Sequence, residues 1–311
     1  MFVFHEAYAA ALPAGRRFPG GKHRAVKDAL AAVVPAARFV EPGPAGRELL
    51  LAVHGAAYVE AVLAARVPAP LERRIGFAVT PAVAMRARLA VGGTLEAVAL
   101  ARATGFAANL AGGAHHAMPD WGAGFCVLND LAVAAAAEVR AGRRVLVVDM
   151  DVHQGDGTAM CLAGVEGAFT FSIHGERNFP VRKAVSDLDV GLPDGCGDDA
   201  YMEALAAGLA AAFARARPDL VLVQAGVDVH EGDALGRLAL SDAGLRERSR
   251  LVREACLAAG VPVAATLGGG YGPEPGVLAR RHALALAGLA GLPSPSLQDD
   301  EKALPRAGLG A

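Results

Sequence analysis

The stretch RRVLVVDMDVHQGDG, residues 143–157, decides the fold. Its apolar and largely β-branched run, Val145 to Val148, is typical of a parallel strand buried on both faces. Asp149, Asp151 and His153 follow at alternate positions, so on a continuing extended backbone they would leave the chain on one side. A carboxylate and an imidazole in this pattern can bind one metal ion, although a solvated turn can carry the same residues.

Strand-like and helical segments alternate along the rest of the chain. Strands are predicted at 2–5, 48–54, 105–113, 168–174, 220–223 and 261–267, and helices at 23–34, 57–66, 129–140, 199–217 and 242–259. A further helix is predicted to begin at Pro81 after the N-cap Thr80, with Gly92-Gly93 dividing it from a second helix. This order predicts a single-domain α/β fold with a mainly parallel sheet and helices on both faces, whose ligands bind at the carboxyl ends of the strands.

Two segments of the chain are predicted to be irregular. Residues 16–22 form a turn-rich loop with a basic cluster, and residues 293–311 combine Pro, Ser and charged residues. We therefore expect a catalytic domain over residues 1–292 and a mobile C-terminal tail over 293–311.

The composition limits the classes of function. The 311 residues carry a net charge of −2, which provides no broad basic surface for direct nucleic-acid or membrane binding. The four cysteines are scattered without a C-x-x-C pair, and neither a secretory signal nor an 18-residue apolar run is evident. These features predict a cytoplasmic protein with reduced thiols.

Three further strand ends carry polar residues that could take part in chemistry. Asp228 follows the strand at 220–223, although a turn or a helix cap would also use an aspartate there. His115 and His116 lie on a glycine-rich loop and could transfer protons or form a surface pair. Tyr271 ends the run GGGY, where it could point into a pocket or pack as a ring.

Taken together, these motifs resemble those of the zinc-dependent histone deacetylase family, which has the arginase/deacetylase fold. GGAHHAMPDWGAGFCVLND, VVDMDVHQGDGT, QAGVDVHEGDALGRL and LGGGYG fall in family order, and the resemblance covers about residues 1 to 290. HEAYAAALPAGRRFPGGKHRA and EGDALGRLALSDAGL are most similar to the class IV branch and its bacterial relatives.

The resemblance implies a site for one zinc ion per chain. Asp151, His153 and Asp228 match the zinc ligands. Zinc lowers the pKa of water in its open coordination position and so makes it a nucleophile near neutral pH. Tyr271 matches the phenol that polarises the amide carbonyl and stabilises the oxyanion.

The resemblance also gives roles to the tandem histidines. His116 matches the general base that later protonates the leaving amine, and His115 matches its electrostatic partner. Asp149 matches the carboxylate behind His115, and Asp156 the one behind His116. Such acids fix the tautomer and orientation of an imidazole. The class IV branch can carry Asn in place of Asp156, so here the aspartate is expected to make His116 more basic.

Two more sites are implied by the resemblance. Phe125 and Phe179 match the aromatic walls of a narrow acyl-lysine tunnel, with Gly124 keeping one wall thin and Leu235 at its gate. A structural potassium ion is implied at a site that uses backbone carbonyls and four residues: Asp149, Asp151, His153 and Ser172.

The motifs argue against three other activities. A binuclear manganese ureohydrolase needs D-x-H-x-D, whereas Gln154, Gly155 and Asp156 follow His153. Acetylpolyamine deacetylases tend to have an acidic gate where this chain has Leu235. The favoured substrate is therefore a protein or peptide with lysine that carries an acetyl or a longer, apolar acyl group, and a small acyl-amide is the alternative. A metal-free acyl-lysine binder would not require Tyr271. The acyl length, the oligomeric state and the physiological substrate are left open.

Overall fold

The computed structural model describes residues 1–9, 21–34 and 36–292. Its centre is an eight-stranded sheet in which every pairing is parallel and the strand order is β2-β1-β3-β8-β7-β4-β5-β6. The strands are β1 Phe2–Val3, β2 Phe39–Val40, β3 Phe106–Asn109, β4 Val145–Asp149, β5 Ala168–Gly175, β6 Leu188–Leu192, β7 Leu220–Gln224 and β8 Val263–Thr266.

Helices connect the strands and pack on the sheet. They are α1 Lys22–Val33, α2 Arg47–Leu50, α3 Ala56–Leu63, α4 Ala69–Ile75, α5 Pro81–Thr104, α6 Asp130–Arg140, α7 Asp156–Leu162, α8 Asp198–Ala216, α9 Asp242–Ala259 and α10 Pro275–Ala290. Among the described helices, none is long and apolar enough to cross a membrane. The all-parallel sheet with its connecting helices confirms the predicted α/β class.

Strand β4 lies at the centre of the core because both of its faces are covered. Leu146 and Val148 belong to a cluster on one side of the sheet, and Val145 and Val147 to a cluster on the other. This alternation follows from the two-residue repeat of a strand. Burial on both faces explains why the run has no polar position until Asp149.

The prediction of a strand at residues 48–54 was wrong. Residues Arg47–Leu50 form a short helix, and the second strand is Phe39–Val40. Leu50 is buried while Leu49 is exposed, as on a helical surface. A short apolar run such as ELLLAVH does not distinguish a buried strand from a helix by its periodicity.

The division of the helix at Gly92-Gly93 was also wrong. Helix α5 runs without interruption from Pro81 to Thr104, and Thr80 caps it as predicted. A Cβ at Gly92 would lie 1.9 Å from the carbonyl oxygen of Gly43, and one at Gly93 would lie 2.2 Å from the hydroxyl of Tyr8. These glycines allow neighbouring segments to approach the helix closely.

The carboxyl edge of the sheet carries the polar strand ends. Strand β4 ends at Asp149 and the chain bends over residues 151–153, so the extended backbone does not continue to His153. The neighbouring strands β7 and β8 end at the same edge, which brings their following loops against this bend. The tail predicted at 293–311 and most of the loop predicted at 16–22 lie outside the described residues.

Candidate active site

Three buried side chains from two strand ends meet around one point. Asp151 and His153 follow β4, and Asp228 follows the adjacent β7. The Nδ1 atom of His153 lies 2.9 Å from Oδ1 of Asp151 and 3.1 Å from Oδ2 of Asp228. The three ligand atoms lie within 4.8 Å of one another. Donors held about 2.0–2.2 Å from zinc in a tetrahedron stand roughly 3.3 Å apart, so the spacing suits such an ion.

The hydrogen bonds around the carboxylates leave an oxygen for a ligand. Oδ1 of Asp228 accepts from the backbone N–H of Val152 at 2.9 Å, while its buried Oδ2 lies 3.1 Å from Nδ1 of His153 without hydrogen-bond geometry and has no other partner among the described residues. A Cβ at Gly269 would lie 1.8 Å from that oxygen, so the loop passes close to it. A buried carboxylate oxygen without a donor is costly unless a cation binds it, and these residues therefore fit a divalent metal.

The pKa values of Asp228 and His153 are each shifted by the charged side chains next to them. Burial together with the charge of Asp151 raises the pKa of Asp228 to about 7. Burial alone would lower the pKa of His153, but the hydrogen bond with Asp151 and the adjacent carboxylate of Asp228 outweigh burial and raise it to about 10. Two carboxylates forced together around one imidazole repel each other, and a divalent cation would relieve that repulsion.

A glutamine that the sequence did not single out supports the first ligand. The side-chain N–H of Gln224, the last residue of β7, donates to Oδ2 of Asp151 at 2.6 Å. The backbone N–H of Gly269 donates to the same oxygen at 2.7 Å. Asp151 is thus held from two neighbouring strand ends, and its Oδ1 faces His153.

The tandem histidines lie beside this cluster, each paired with a carboxylate. Nδ1 of His115 lies 2.6 Å from Oδ2 of Asp149, and Nδ1 of His116 lies 2.6 Å from Oδ1 of Asp156. The two rings are 4.1 Å apart, and the ring of His116 is 5.8 Å from that of His153. Nδ1–H of each imidazole donates to its carboxylate, which leaves Nε2 for the reaction.

The two histidines have opposite protonation states in the folded protein. Burial disfavours charge on His115, but the charges of Asp149 and Asp151 outweigh it and raise the pKa of His115 to about 9. Burial and the adjacent charge of His115 lower the pKa of His116 to about 4. In the metal-free site these shifts favour a neutral His116 that can accept a proton at pH 7 and a positively charged His115.

Tyr271 is fixed by the loop that follows Asp228. Its backbone N–H donates to Oδ2 of Asp233 at 2.7 Å, and its carbonyl oxygen accepts from the N–H of Ala234 at 3.1 Å. Its ring lies 6.2 Å from the ring of His153. Burial and the charge of Asp228 raise the pKa of Tyr271 well above its usual value, so the phenol remains a donor at neutral pH.

The two predicted aromatic walls of the tunnel lie beside these groups. The ring of Phe179 is 4.8 Å from that of His116, and the ring of Phe125 is 6.2 Å from that of Tyr271. Phe179 is 45% exposed and so lies at the mouth. The side chain of Asn178 donates to the carbonyl oxygen of Leu235 at 3.1 Å, which connects the loop before Phe179 to the predicted gate.

The residues of the predicted potassium site are neighbours in the structure. Asp149 on β4 pairs in register with Ser172 on β5, and both are buried. The backbone N–H of Asp151 donates to Oδ1 of Asp149 at 3.1 Å. Oγ of Ser172 lies 3.0 Å from Nδ1 of His174. Potassium at this position stays a prediction.

The sequence of this chain is similar to those of known deacetylases. The model of the histone deacetylase domain matches residues 19–288. The chain is 44% identical over 286 residues to an uncharacterized protein of Picosynechococcus, covering 91% of this chain and 95% of that one. It is 31% identical to a probable deacetylase of Methanothermobacter thermautotrophicus, with 87% and 85% of the two chains covered.

A solved structure shows the same architecture. The crystal structure of an HDAC homolog from Aquifex aeolicus superposes with a TM-score of 0.80 at 25% identity, and covers 94% of this chain and 84% of that one. The family match includes strands β2 to β8, seven of the eight strands of the sheet, and every residue of the clusters around Asp151 and His116. The chain therefore belongs to the histone deacetylase family of hydrolases.

Proposed function

We propose that the protein is a zinc-dependent amidohydrolase that removes an acyl group from the ε-amine of lysine in proteins or peptides. One observation carries the proposal: the rings of His116 and Tyr271 lie 5.8 Å and 6.2 Å from that of His153 in the Asp151, His153 and Asp228 cluster. These are a metal site, a proton acceptor and an oxyanion donor, which amide hydrolysis requires together.

The metal would be held by Asp151, His153 and Asp228. When bound there, zinc lowers the pKa of water to near neutrality and polarises a carbonyl oxygen. A two-aspartate, one-histidine donor set also suits other divalent ions, so zinc as the resident metal rests on the family resemblance together with the donor spacing.

The proton transfers are assigned to His116. Because Asp156 accepts from Nδ1–H, the lone pair of His116 is on Nε2, where it can take a proton from the attacking water. Nε2 then gives that proton to the amine nitrogen as the amide C–N bond breaks. Water is consumed, and a carboxylic acid and a free lysine amine are formed.

Oxyanion stabilisation is assigned to Tyr271 and His115. The hydroxyl of Tyr271 donates to the former carbonyl oxygen as negative charge develops there. The positive charge that Asp149 maintains on His115 lies next to His116 and adds a favourable field for that oxyanion. It also keeps the pKa of His116 low, so that the neutral base form predominates.

The gate favours lysine over polyamine substrates. Leu235 offers no charge to a cationic amine, while Phe125 and Phe179 suit the aliphatic stem of an acylated lysine. Acetylpolyamines and other small acyl-amides are the alternative substrates. A structural potassium ion and a cytoplasmic location are further predictions, and a potassium-free metal analysis of active protein would refute the first.

Turnover of matched substrates tests the proposal. Purified protein with one zinc ion per chain is assayed with an acetyl-lysine peptide, with acetylspermidine and with the same peptide lacking the acyl group. We expect release of acetate from the peptide at a higher kcat/KM than from acetylspermidine. A zinc-loaded protein that binds the peptide without cleaving it would instead be an acyl-lysine binder.

A further inference from the structure

A cavity of about 110 Å³ opens beside the catalytic groups and extends to helices α1 and α5. His116 and Tyr271 line one part of it. The α5 residues in its wall are Val83, Arg86, Ala87 and Ala90, which recur three and four positions apart and therefore share one face of the helix. The cavity is continuous with the reacting centre, so it is the space into which an acyl group would extend.

The size of the cavity limits that acyl group. Small residues leave the space open, since Ala87 and Ala90 of α5 and the Gly112-Gly113 pair all line the cavity. For comparison, a cavity of about 150 Å³ accommodates a benzene ring. A volume of about 110 Å³ therefore suits an acyl group of about four or five carbons.

The part of the cavity formed by α1 and α5 contains two cationic side chains. Nζ of the buried Lys22 donates to the carbonyl oxygen of Gly268 at 2.8 Å. Nη2 of Arg86 donates to Nε2 of His23 at 2.9 Å, and Nδ1–H of His23 donates to the carbonyl oxygen of Leu110 at 3.0 Å. These bonds fix His23 as a neutral imidazole, so Arg86 is held in position by a ring that carries no charge.

Both side chains remain cations near neutral pH. Burial lowers the pKa of Arg86 to about 10, and it lowers that of Lys22 to about 8 although the charges of Asp228 and Asp151 oppose this fall. A cation withdrawn from water is stabilised when an anion forms hydrogen bonds with it. A purely aliphatic acyl chain would cover these cations with methylene groups, which is unfavourable.

We propose that this cavity selects lysine acylated with a short dicarboxylic acid, and that Arg86 and Lys22 bind the terminal carboxylate. Succinyl-lysine is the simplest member of the class. The inference rests on the proposed deacylase function and names its substrate class. The reaction is the same hydrolysis: the amide C–N bond breaks, water supplies OH to the acyl carbon and a proton to the amine, and succinate leaves with lysine.

The test compares acyl groups that differ only in charge. One lysine peptide is prepared with acetyl, succinyl or succinamyl groups, the last being a neutral amide of the same size as succinyl. In the zinc-loaded wild type, kcat/KM for succinyl should exceed that for succinamyl by about tenfold or more, as expected for hydrogen bonds to a charged group.

Substitutions in α5 test whether Arg86 causes the preference for succinyl over succinamyl. Arg86→Gln should bring the ratio of succinyl to succinamyl close to one, and Arg86→Lys should retain most of it because the charge remains. Arg88→Gln is the matched control, since Arg88 lies two residues away on α5, donates to the carbonyl oxygen of Ala45 and does not line the cavity. Arg88→Gln should keep the wild-type ratio of succinyl to succinamyl turnover.

Binding provides a readout that does not depend on turnover. Fluorescence anisotropy with labelled peptides and metal-free protein should show tighter binding of succinyl than of succinamyl peptide, and Arg86→Gln should remove the difference. Equal kcat/KM for the succinyl and succinamyl peptides in the wild type would overturn the inference, and so would a preference for succinyl that survives Arg86→Gln. In either case, turnover of the acetyl peptide would still support the proposed deacylase function. Zinc-loaded protein that cleaves none of the three peptides would overturn both.

Discussion

Replacement of Gly124 by alanine tests how closely the position of His116 is controlled. Gly124 has φ +53°, and a Cβ there would lie 2.6 Å from Cδ2 of His116. Alanine in the left-handed region costs about 1–2 kcal/mol in stability. Ordinary contact begins at 3.4 Å, so the imidazole must also move by about 0.8 Å. A displacement of about 1 Å in a catalytic group can reduce the rate by about 10²-fold.

Gly142 provides the control for this variant. It has φ +80°, and a Cβ there would meet nothing within 4 Å. Gly142→Ala therefore carries the backbone cost without a contact to the site. Urea denaturation should show that both variants lose about 1–2 kcal/mol, whereas only Gly124→Ala should lose about 10²-fold in kcat/KM for the acetyl-lysine peptide. Equal activity of the two variants would refute the positional control of His116.

Three further predictions concern individual residues. Tyr271→Phe should lower kcat by roughly 10²-fold or more with zinc retained, because one oxyanion donor is lost; unchanged turnover would remove that role. His116→Ala should leave zinc bound and Asp228→Ala should release it, which metal analysis after dialysis measures; the reverse pattern would exchange their roles. Burial lowers the pKa of His282 well below its usual value, and neither ring nitrogen has a hydrogen-bond partner among the described residues. Below pH 6.5 the unfolded state therefore binds the extra proton, and from pH 7 to pH 5 the folded protein should lose about 2 kcal/mol of stability through this residue. His282→Leu should make that decline shallower by this amount in urea denaturation of metal-free protein, and an unchanged slope would contradict the assignment.

The parts of the fold that depend on local sequence were predicted well. The run before Asp149 indicated a buried strand, and Thr80 caps helix α5 with its side-chain oxygen as predicted. Burial on two faces and capping depend on residues within a few positions of each other. The same local rules could not find β2, which has two residues, or the partly exposed edge strand β6.

The site was predictable in its motifs but not in its supporting contacts. Asp151, His153 and Asp228 do meet, although the backbone bends where an extended course was expected. The contact of Lys22 with Gly268 spans 246 positions, and that of Arg86 with His23 spans 63. No periodicity links residues so far apart, so the charged part of the cavity appears only when the sheet brings α1 and α5 together.

The central claim is that a single zinc ion held by Asp151, His153 and Asp228 is required for hydrolysis. Stoichiometric titration of the metal-free protein tests it most directly. With added zinc, turnover of the acetyl-lysine peptide should rise linearly from zero and stop rising at one equivalent per chain. Full turnover in the presence of a strong chelator, or no turnover at any zinc stoichiometry, would contradict the account.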